Sequence, residues 1–241
     1  MHVSSSQTLP DGLLERTVTL GEVPGIVWTP GTGPAPLVLL GHPGGLPAMY
    51  PRLAARARQC ASLGFAAATI ELPGSGDRPR DPGLEEARAD LRRALAAGDP
   101  VGDGIIDRLV LPLVDQGVPE WQAALDALLE LPEIGGPVAF SGGVIAIGVR
   151  LAAVEPRIVA AGLFAGSFVP RTTFDEARTI TIPVHVLLQW DDEGNDRQAA
   201  LDLFDAFGSR EKTLQANLGG HTGVPAHAAE DTGRFLVRHL T

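Results

Sequence analysis

Short apolar runs alternate along this chain with segments of helical periodicity, and this alternation constrains the fold more than any other feature. Three runs are apolar almost throughout, at residues 36–41, 65–70 and 183–190. Continuous runs of this length are expected of strands that are buried on both faces. Apolar residues at helical spacing follow the first run, in residues 53–63, which end at the stop signal Gly64. Repeated strand–helix units predict a mostly parallel sheet with helices on both faces.

The complete pattern predicts eight strands in a single domain that spans residues 1–241. The predicted strands are 16–20, 25–29, 36–41, 65–70, 137–140, 158–165, 183–190 and 212–218. A chain of 241 residues is long enough for one well-buried core. Residues 80–118 are the least regular stretch, with predicted helices at 84–97 and 105–114, and we expect them to form a small helical, cap-like insertion. A further helix is predicted over 119–131.

Composition and charge exclude several classes of protein. The formal net charge is −10, which disfavours binding to nucleic acid or to anionic membrane surfaces. The single cysteine, Cys60, excludes an intrachain disulfide and paired-cysteine metal motifs. No stretch approaches the roughly 20 apolar residues that span a bilayer, and residues 1–11 lack the order of a signal peptide. We therefore expect a cytoplasmic protein that binds a small-molecule substrate, either as a monomer or as a homodimer.

Three predicted strand ends carry the residue types of a nucleophile, a base and an acid. Ser141 follows the fifth strand, and His221 follows the last. Asp191 and Asp192 follow the seventh strand. The carboxyl ends of parallel strands meet at one edge of a sheet, where binding sites form. A serine hydroxyl becomes a nucleophile when an imidazole takes its proton, and a carboxylate fixes the tautomer of that imidazole. The pattern predicts Ser141 as nucleophile, His221 as base and Asp192 as acid, with Asp191 as the alternative acid.

Small residues, Ala139 and Gly143, lie two positions before and two positions after Ser141. They suit a sharp turn from strand to helix, called the elbow below. The N–H group of Gly142 would then be one donor to an oxyanion. Gly44 or Gly45, in the loop after the third strand, would supply the other donor. The spacing to the following helix leaves a second register open, in which Gly142 takes the nucleophile position and Ser141 is displaced.

Other reactive side chains have plainer interpretations. Cys60 lies inside a predicted helix and is expected to pack in the core, and His42 is expected to shape the loop after the third strand. Glu71 is a weaker candidate for the acid. Ser167 follows the sixth strand without the elbow pattern and is expected to line the pocket. The histidine and cysteine spacing does not match a metal site, and we expect neither a metal nor an organic cofactor.

Four loop segments carry a family resemblance. They are residues 40–45 (LGHPGG), 73–79 (PGSGDRP), 187–193 (LLQWDDE) and 219–221 (GGH). With the chain order serine, aspartate, histidine, they resemble the α/β-hydrolase superfamily, and in particular its bacterial esterases and dienelactone-hydrolase-like members. The resemblance implies the α/β-hydrolase fold and a hydrolase that acts on a small ester or thioester through a Ser-His-Asp triad.

The second register at the elbow implies a different activity on the same scaffold. With glycine in the nucleophile position, the chain would lack an attacking side chain there. It would then be a non-hydrolytic enzyme of this fold, such as a lyase or an isomerase, or a pseudoenzyme. The sequence leaves this alternative open beside the hydrolase.

Overall fold

The computed structural model describes residues 1–31, 33–166 and 168–241. Nine strands and seven helices occur in these ranges. The strands are β1 His2–Thr8, β2 Leu14–Leu20, β3 Val23–Thr29, β4 Ala35–Gly41, β5 Ala66–Ile70, β6 Ile134–Gly142, β7 Ile158–Phe164, β8 Val184–Gln189 and β9 Lys212–Asn217. The helices are α1 Leu46–Ser62, α2 Pro82–Ala97, α3 Asp103–Leu129, α4 Ile145–Val154, α5 Arg171–Thr179, α6 Arg197–Ala206 and α7 Ala226–Leu240.

All nine strands form one sheet in the order β1-β2-β3-β5-β4-β6-β7-β8-β9. β1, β2 and β3 pair antiparallel, as do β3 and β5. The other six strands in the sheet, β5, β4, β6, β7, β8 and β9, run parallel to one another. This architecture confirms the predicted mostly parallel sheet. The prediction of eight strands missed β1, whose residues are all exposed. β1 has no buried face, and so hydrophobic periodicity could not reveal it.

Residues 103–129 form one helix, α3, where the sequence predicted two. Pro112 and Pro119 lie inside it, and a proline in a helix interior costs about 3 kcal/mol. The buried face of α3, which includes Trp121 and Leu125, packs into the main core, and this burial offsets the cost. Although α3 has 27 residues, no helix in the described ranges is long and apolar enough to cross a membrane.

Helices pack on both faces of the sheet, and a separate hydrophobic cluster lies on each face. Side chains of α1 and α7 pack on one face, and those of α3, α4, α5 and α6 pack on the other. Cys60 of α1 is buried in the first cluster. Burial raises the pKa of its thiol to about 11, which suits the predicted packing role and not a nucleophile.

The buried histidine His185 makes stability depend on pH. Its ring stacks on Phe235 of α7 at 5.5 Å, and its Nε2 has no hydrogen-bond partner. Burial lowers the pKa of His185 from its ordinary value of 6.5. The unfolded chain therefore binds a proton at a higher pH than the folded chain does. The stabilisation is complete above about pH 6.5 and is lost as the pH falls below that value.

We expect the melting temperature to drop between pH 7.5 and pH 5, and to drop less in His185→Phe, because phenylalanine does not titrate. The exposed His227 offers a matched control, since His227→Gln should keep the pH dependence of the unaltered chain. Thermal unfolding followed by circular dichroism at both pH values measures the difference. Equal pH dependence in His185→Phe and in the unaltered chain would contradict this assignment.

Candidate active site

The carboxyl ends of β8 and β9 bring an aspartate and a histidine into contact. His221 Nδ1 lies 2.7 Å from Asp192 Oδ2. The Asp192 side chain is buried, and its Oδ1 accepts the Gly194 N–H at 3.2 Å. Of the two carboxylates that the sequence left open, Asp191 instead accepts the N–H of Gly219. The structure therefore pairs His221 with Asp192, as the sequence predicted.

The Asp192 contact fixes the chemical state of the His221 ring. A carboxylate accepts hydrogen bonds, so in the neutral ring Nδ1 carries the proton and Nε2 has the lone pair. The His221 side chain is 66% exposed, which leaves Nε2 open to solvent and to a small molecule. The tautomer of the His221 ring is thus set by a buried carboxylate.

The His221 ring reaches across the sheet edge towards β6. His221 follows β9, yet its ring makes an edge-to-face contact with Phe164 at the end of β7, with 5.5 Å between the ring centres. β8 lies between β9 and β7, and β6 is the next strand beyond β7. Neighbouring strands are about 4.8 Å apart, so the contact with Phe164 places the His221 ring one strand away from β6.

Ser141 does not meet His221. β6 continues through Ser141, whose side chain is 5% exposed, and the Ser141 Oγ accepts a hydrogen bond from Arg56 Nη2 at 2.9 Å. Ser141 pairs with Gly162, two residues before Phe164, so it lies about 6–7 Å deeper along the sheet than the Phe164 ring. Its side chain lines a cavity of about 30 Å³ between the sheet and helices α1 and α7.

The sharp turn instead consists of Gly142 and Gly143. Their φ angles are +83° and +76°, a region that suits glycine, and α4 begins at Ile145. The last residue pair of β6 with β7 is Ser141 with Gly162, so the turn follows directly after this pair. Ser141 lies in β6 before the turn, and the second register, with glycine at the turn, fits this structure better. The role of Ser141 as nucleophile stays a prediction.

The glycine turn is tightly packed. A Cβ atom on Gly143 would lie 2.9 Å from the Cα of Gly41 and 3.0 Å from the N of His42. A Cβ atom on Gly142 would lie 2.8 Å from Arg56 Nη1. Gly143 therefore leaves no room for a side chain, because the neighbouring atoms there belong to the backbone.

The N-terminus of α1 already holds an internal carboxylate. Glu71 follows β5, is 3% exposed, and accepts the Leu46 N–H on both carboxylate oxygens at 3.0 Å. A helix N-terminus favours such an anion. Glu71 thus anchors the loop after β5, and it is not the partner of His221. The predicted oxyanion donors Gly44 and Gly45 lie directly before this helix, and their catalytic role stays a prediction.

His42 has the structural role that the sequence predicted. Its ring is buried, and its Nε2 donates to the carbonyl oxygen of Ile70 at 2.8 Å. Burial lowers the pKa of His42 from its ordinary value of 6.5, so the ring stays neutral. This hydrogen bond ties the loop after β4 to the end of β5. Ser167, predicted to line the pocket, lies outside the described residues.

Arg56 is the residue near the site that sequence reasoning missed. Its guanidinium donates to the carbonyl oxygens of Gly41 and Ser141, the residues that precede the two loops at the elbow. A signal was present in the sequence, because Arg56 lies three residues after Leu53 and four before Cys60. Both of these residues are buried, and residues at this spacing share one face of a helix.

A large cavity opens beside the loop that carries Asp192. Its volume is about 980 Å³, and it lies between the α2–α3 connection, the segment after β7, and helices α5 and α6. Ile106, Phe168 and Phe174 supply apolar walls, and Glu193 lies at the side of Asp192. The size matches that of a cleft for a small organic molecule.

Comparison with known proteins gives structural likenesses only. No protein-family model matches the sequence, and no curated protein matches it. A cold-adapted esterase from an Arctic intertidal metagenomic library is 29% identical, with a TM-score of 0.74 over 99% of this chain and 98% of that chain.

Two more distant structures share the fold. An esterase of Pyrococcus furiosus is 10% identical, with a TM-score of 0.67 over 98% of this chain and 92% of that chain. A dienelactone hydrolase of Anabaena variabilis is 16% identical, with a TM-score of 0.63 over 100% of both chains. At these identities the likeness concerns the fold alone.

Proposed function

We propose that this chain, which has the α/β-hydrolase fold and resembles an esterase, hydrolyses small carboxylic esters with His221 as the catalytic base. The observation that carries the proposal is the 2.7 Å hydrogen bond from His221 Nδ1 to Asp192 Oδ2. In the neutral ring it directs the lone pair to Nε2, and the His221 side chain is 66% exposed. Esters are proposed before thioesters because the similar proteins are named esterases.

We assign the attack to water and not to a serine hydroxyl. His221 Nε2 takes a proton from water as the water oxygen bonds to the ester carbonyl carbon, and the carbonyl electron pair moves onto oxygen. The tetrahedral intermediate then collapses, the bond to the alcohol oxygen breaks, and protonated His221 returns its proton to that oxygen. Asp192 stabilises the imidazolium between the two steps.

Backbone N–H groups at the glycine turn would stabilise the oxyanion. α4 begins at Ile145 directly after the turn, and the amide groups at a helix N-terminus favour negative charge. Of the predicted donors, Gly142 ends β6, and Gly44 and Gly45 lie in the loop between β4 and α1.

The predicted serine mechanism requires a larger change of structure. Ser141 would have to leave its buried position in β6 and its hydrogen bond with Arg56. A change of rotamer alone keeps the side chain on the same face of the sheet. The geometry therefore favours water as the attacking group.

A second function is favoured by the glycine turn itself. The elbow consists of Gly142 and Gly143, and His221 has no hydrogen-bonded hydroxyl or thiol partner among the described residues. A base without a nucleophile can also abstract a proton from the substrate. A lyase or isomerase reaction is thus the alternative to hydrolysis.

One set of measurements distinguishes hydrolysis from the lyase or isomerase reaction, and water from Ser141 as the attacking group. We expect the protein to turn over 4-nitrophenyl acetate without a burst of 4-nitrophenol, because no acyl-enzyme accumulates, and a fluorophosphonate should not label it. A stoichiometric burst with labelling of Ser141 would establish the serine mechanism instead. Failure to hydrolyse acetate, butyrate and hexanoate esters of 4-nitrophenol would reject hydrolysis and favour the alternative.

A further inference from the structure

We infer that Arg56 is the positioning residue of the active site, because its guanidinium holds the ends of β4 and β6 together beneath the glycine turn. Nη1 donates to the carbonyl oxygen of Gly41 at 3.1 Å. Nη2 donates to the carbonyl oxygen of Ser141 at 2.8 Å and to the Ser141 Oγ at 2.9 Å. The inference rests on the proposed function, since it assigns Arg56 to that same site.

The three acceptors of Arg56 belong to the two central strands that lead into the site. Gly41 and Gly142 are paired in register at the ends of β4 and β6. The loop with the predicted donors Gly44 and Gly45 follows β4, and the glycine turn follows β6. A planar guanidinium with donors in fixed directions can set the separation of two carbonyl groups, so it also sets the separation of the loops that follow.

The glycine turn needs such support because it has no side chains of its own. Glycine reaches many backbone conformations, and two consecutive glycines occupy the turn. The guanidinium lies against Gly142, where a Cβ atom would be 2.8 Å from Nη1. Arg56 therefore fills the space beneath the turn that a larger residue would otherwise fill.

The charge of Arg56 is not compensated by a carboxylate. Other arginines, such as Arg78 and Arg157, form ion pairs, but no Asp or Glu in the described ranges pairs with Arg56. Burial lowers the pKa of Arg56 from its ordinary value of 12.5, and the group remains charged at neutral pH. Arg56 is half-buried, and a cation removed from water without an acid partner costs stability.

The uncompensated charge would assist the reaction through two peptide groups. Hydrogen bonding at the carbonyl oxygens of Gly41 and Ser141 polarises the peptide groups whose N–H ends belong to His42 and Gly142. A polarised peptide is a stronger donor, and fixed positive charge near a developing oxyanion lowers the barrier. This effect is larger for the transition state than for bound substrate, so it raises kcat more than it lowers KM.

The test compares Arg56→Ala and Arg56→Lys with Arg52→Ala, a change at an exposed arginine of the same helix. On 4-nitrophenyl acetate we expect Arg56→Ala to lower kcat roughly 10–100-fold with KM nearly unchanged, and millimolar methylguanidinium to restore part of the loss. Arg56→Lys keeps the charge but not the paired donors, so kcat should be intermediate. Arg52→Ala should keep the kcat of the unaltered chain.

A second readout is independent of activity. Hydrogen exchange measured by mass spectrometry should be faster in peptides covering residues 41–45 and 141–145 of Arg56→Ala and Arg56→Lys, and unchanged in Arg52→Ala. An unaltered chain that hydrolyses no ester rejects the proposed function, and the exchange data still decide the positioning role. Unchanged exchange in the two peptides, or an unchanged kcat in folded Arg56→Lys, would overturn the inference even if Arg56→Ala does not fold.

Discussion

His221→Ala is expected to lower kcat/KM for 4-nitrophenyl acetate roughly 10²–10⁴-fold, which is the usual contribution of a general base. Asp192→Asn should cause a loss of comparable size, because an amide in place of the carboxylate favours the wrong tautomer of His221. Both side chains lie at the sheet edge, and the His221 side chain is 66% exposed. We therefore expect the His221→Ala variant to fold with little change in its free energy of unfolding.

Ser141→Ala should behave differently. We expect kcat to stay within about threefold of the unaltered chain, since the hydroxyl contacts Arg56 and not His221. The cost should appear in stability, at about 0.5–1.5 kcal/mol for the lost hydrogen bond. Steady-state kinetics and urea denaturation of the three variants measure both effects. Loss of activity in Ser141→Ala equal to that in His221→Ala would restore the serine mechanism and reject water as the attacking group.

The contact between Asp192 and His221 could be predicted from the sequence because each residue follows a well-marked strand. β8 is a continuous apolar run, and the run ends just before Asp191 and Asp192. Leu218 and two glycines separate β9 from His221 in the same way. Such strand ends are visible from hydrophobicity alone, and the topology of a parallel sheet then brings them to one edge.

The position of the turn after β6 could not be predicted in the same way. Ser141 and Gly142 fit the end of a strand as well as they fit a turn, so hydrophobicity does not show where β6 ends. A shift of one residue moves a side chain to the opposite face of a sheet. The structure extends β6 through Gly142, and this small extension removes the hydroxyl from the site.

Arg56 and α3 were missed for a related reason, since both depend on tertiary contacts. Arginine is usually exposed, and its carbonyl partners Gly41 and Ser141 are distant in the sequence. The prolines of α3 predicted a break, and the burial that offsets their cost involves strands elsewhere in the chain. Local propensity is overridden in both cases by packing.

Gly143→Ala is expected to be among the most destabilising single substitutions in this chain. The φ angle of +76° alone costs an alanine about 1–2 kcal/mol. The added Cβ would also lie 2.9 Å from the Cα of Gly41, and such overpacking typically costs 1–3 kcal/mol more. We expect a total loss of about 2–5 kcal/mol in the free energy of unfolding, together with loss of esterase activity, because the β4 loop must move.

Gly64→Ala provides the matched control for this prediction. Gly64 has a similar φ angle of +84°, but an added Cβ would meet no atom within 4 Å. Gly64→Ala should therefore lose only the cost of the positive φ angle, about 1–2 kcal/mol of the free energy of unfolding, and keep full activity. Urea denaturation of both variants measures the difference, which reports the close approach of β4 to the turn. Equal losses in the two variants would mean that a side chain fits at position 143, and Gly143→Ser could then supply the nucleophile that the turn lacks.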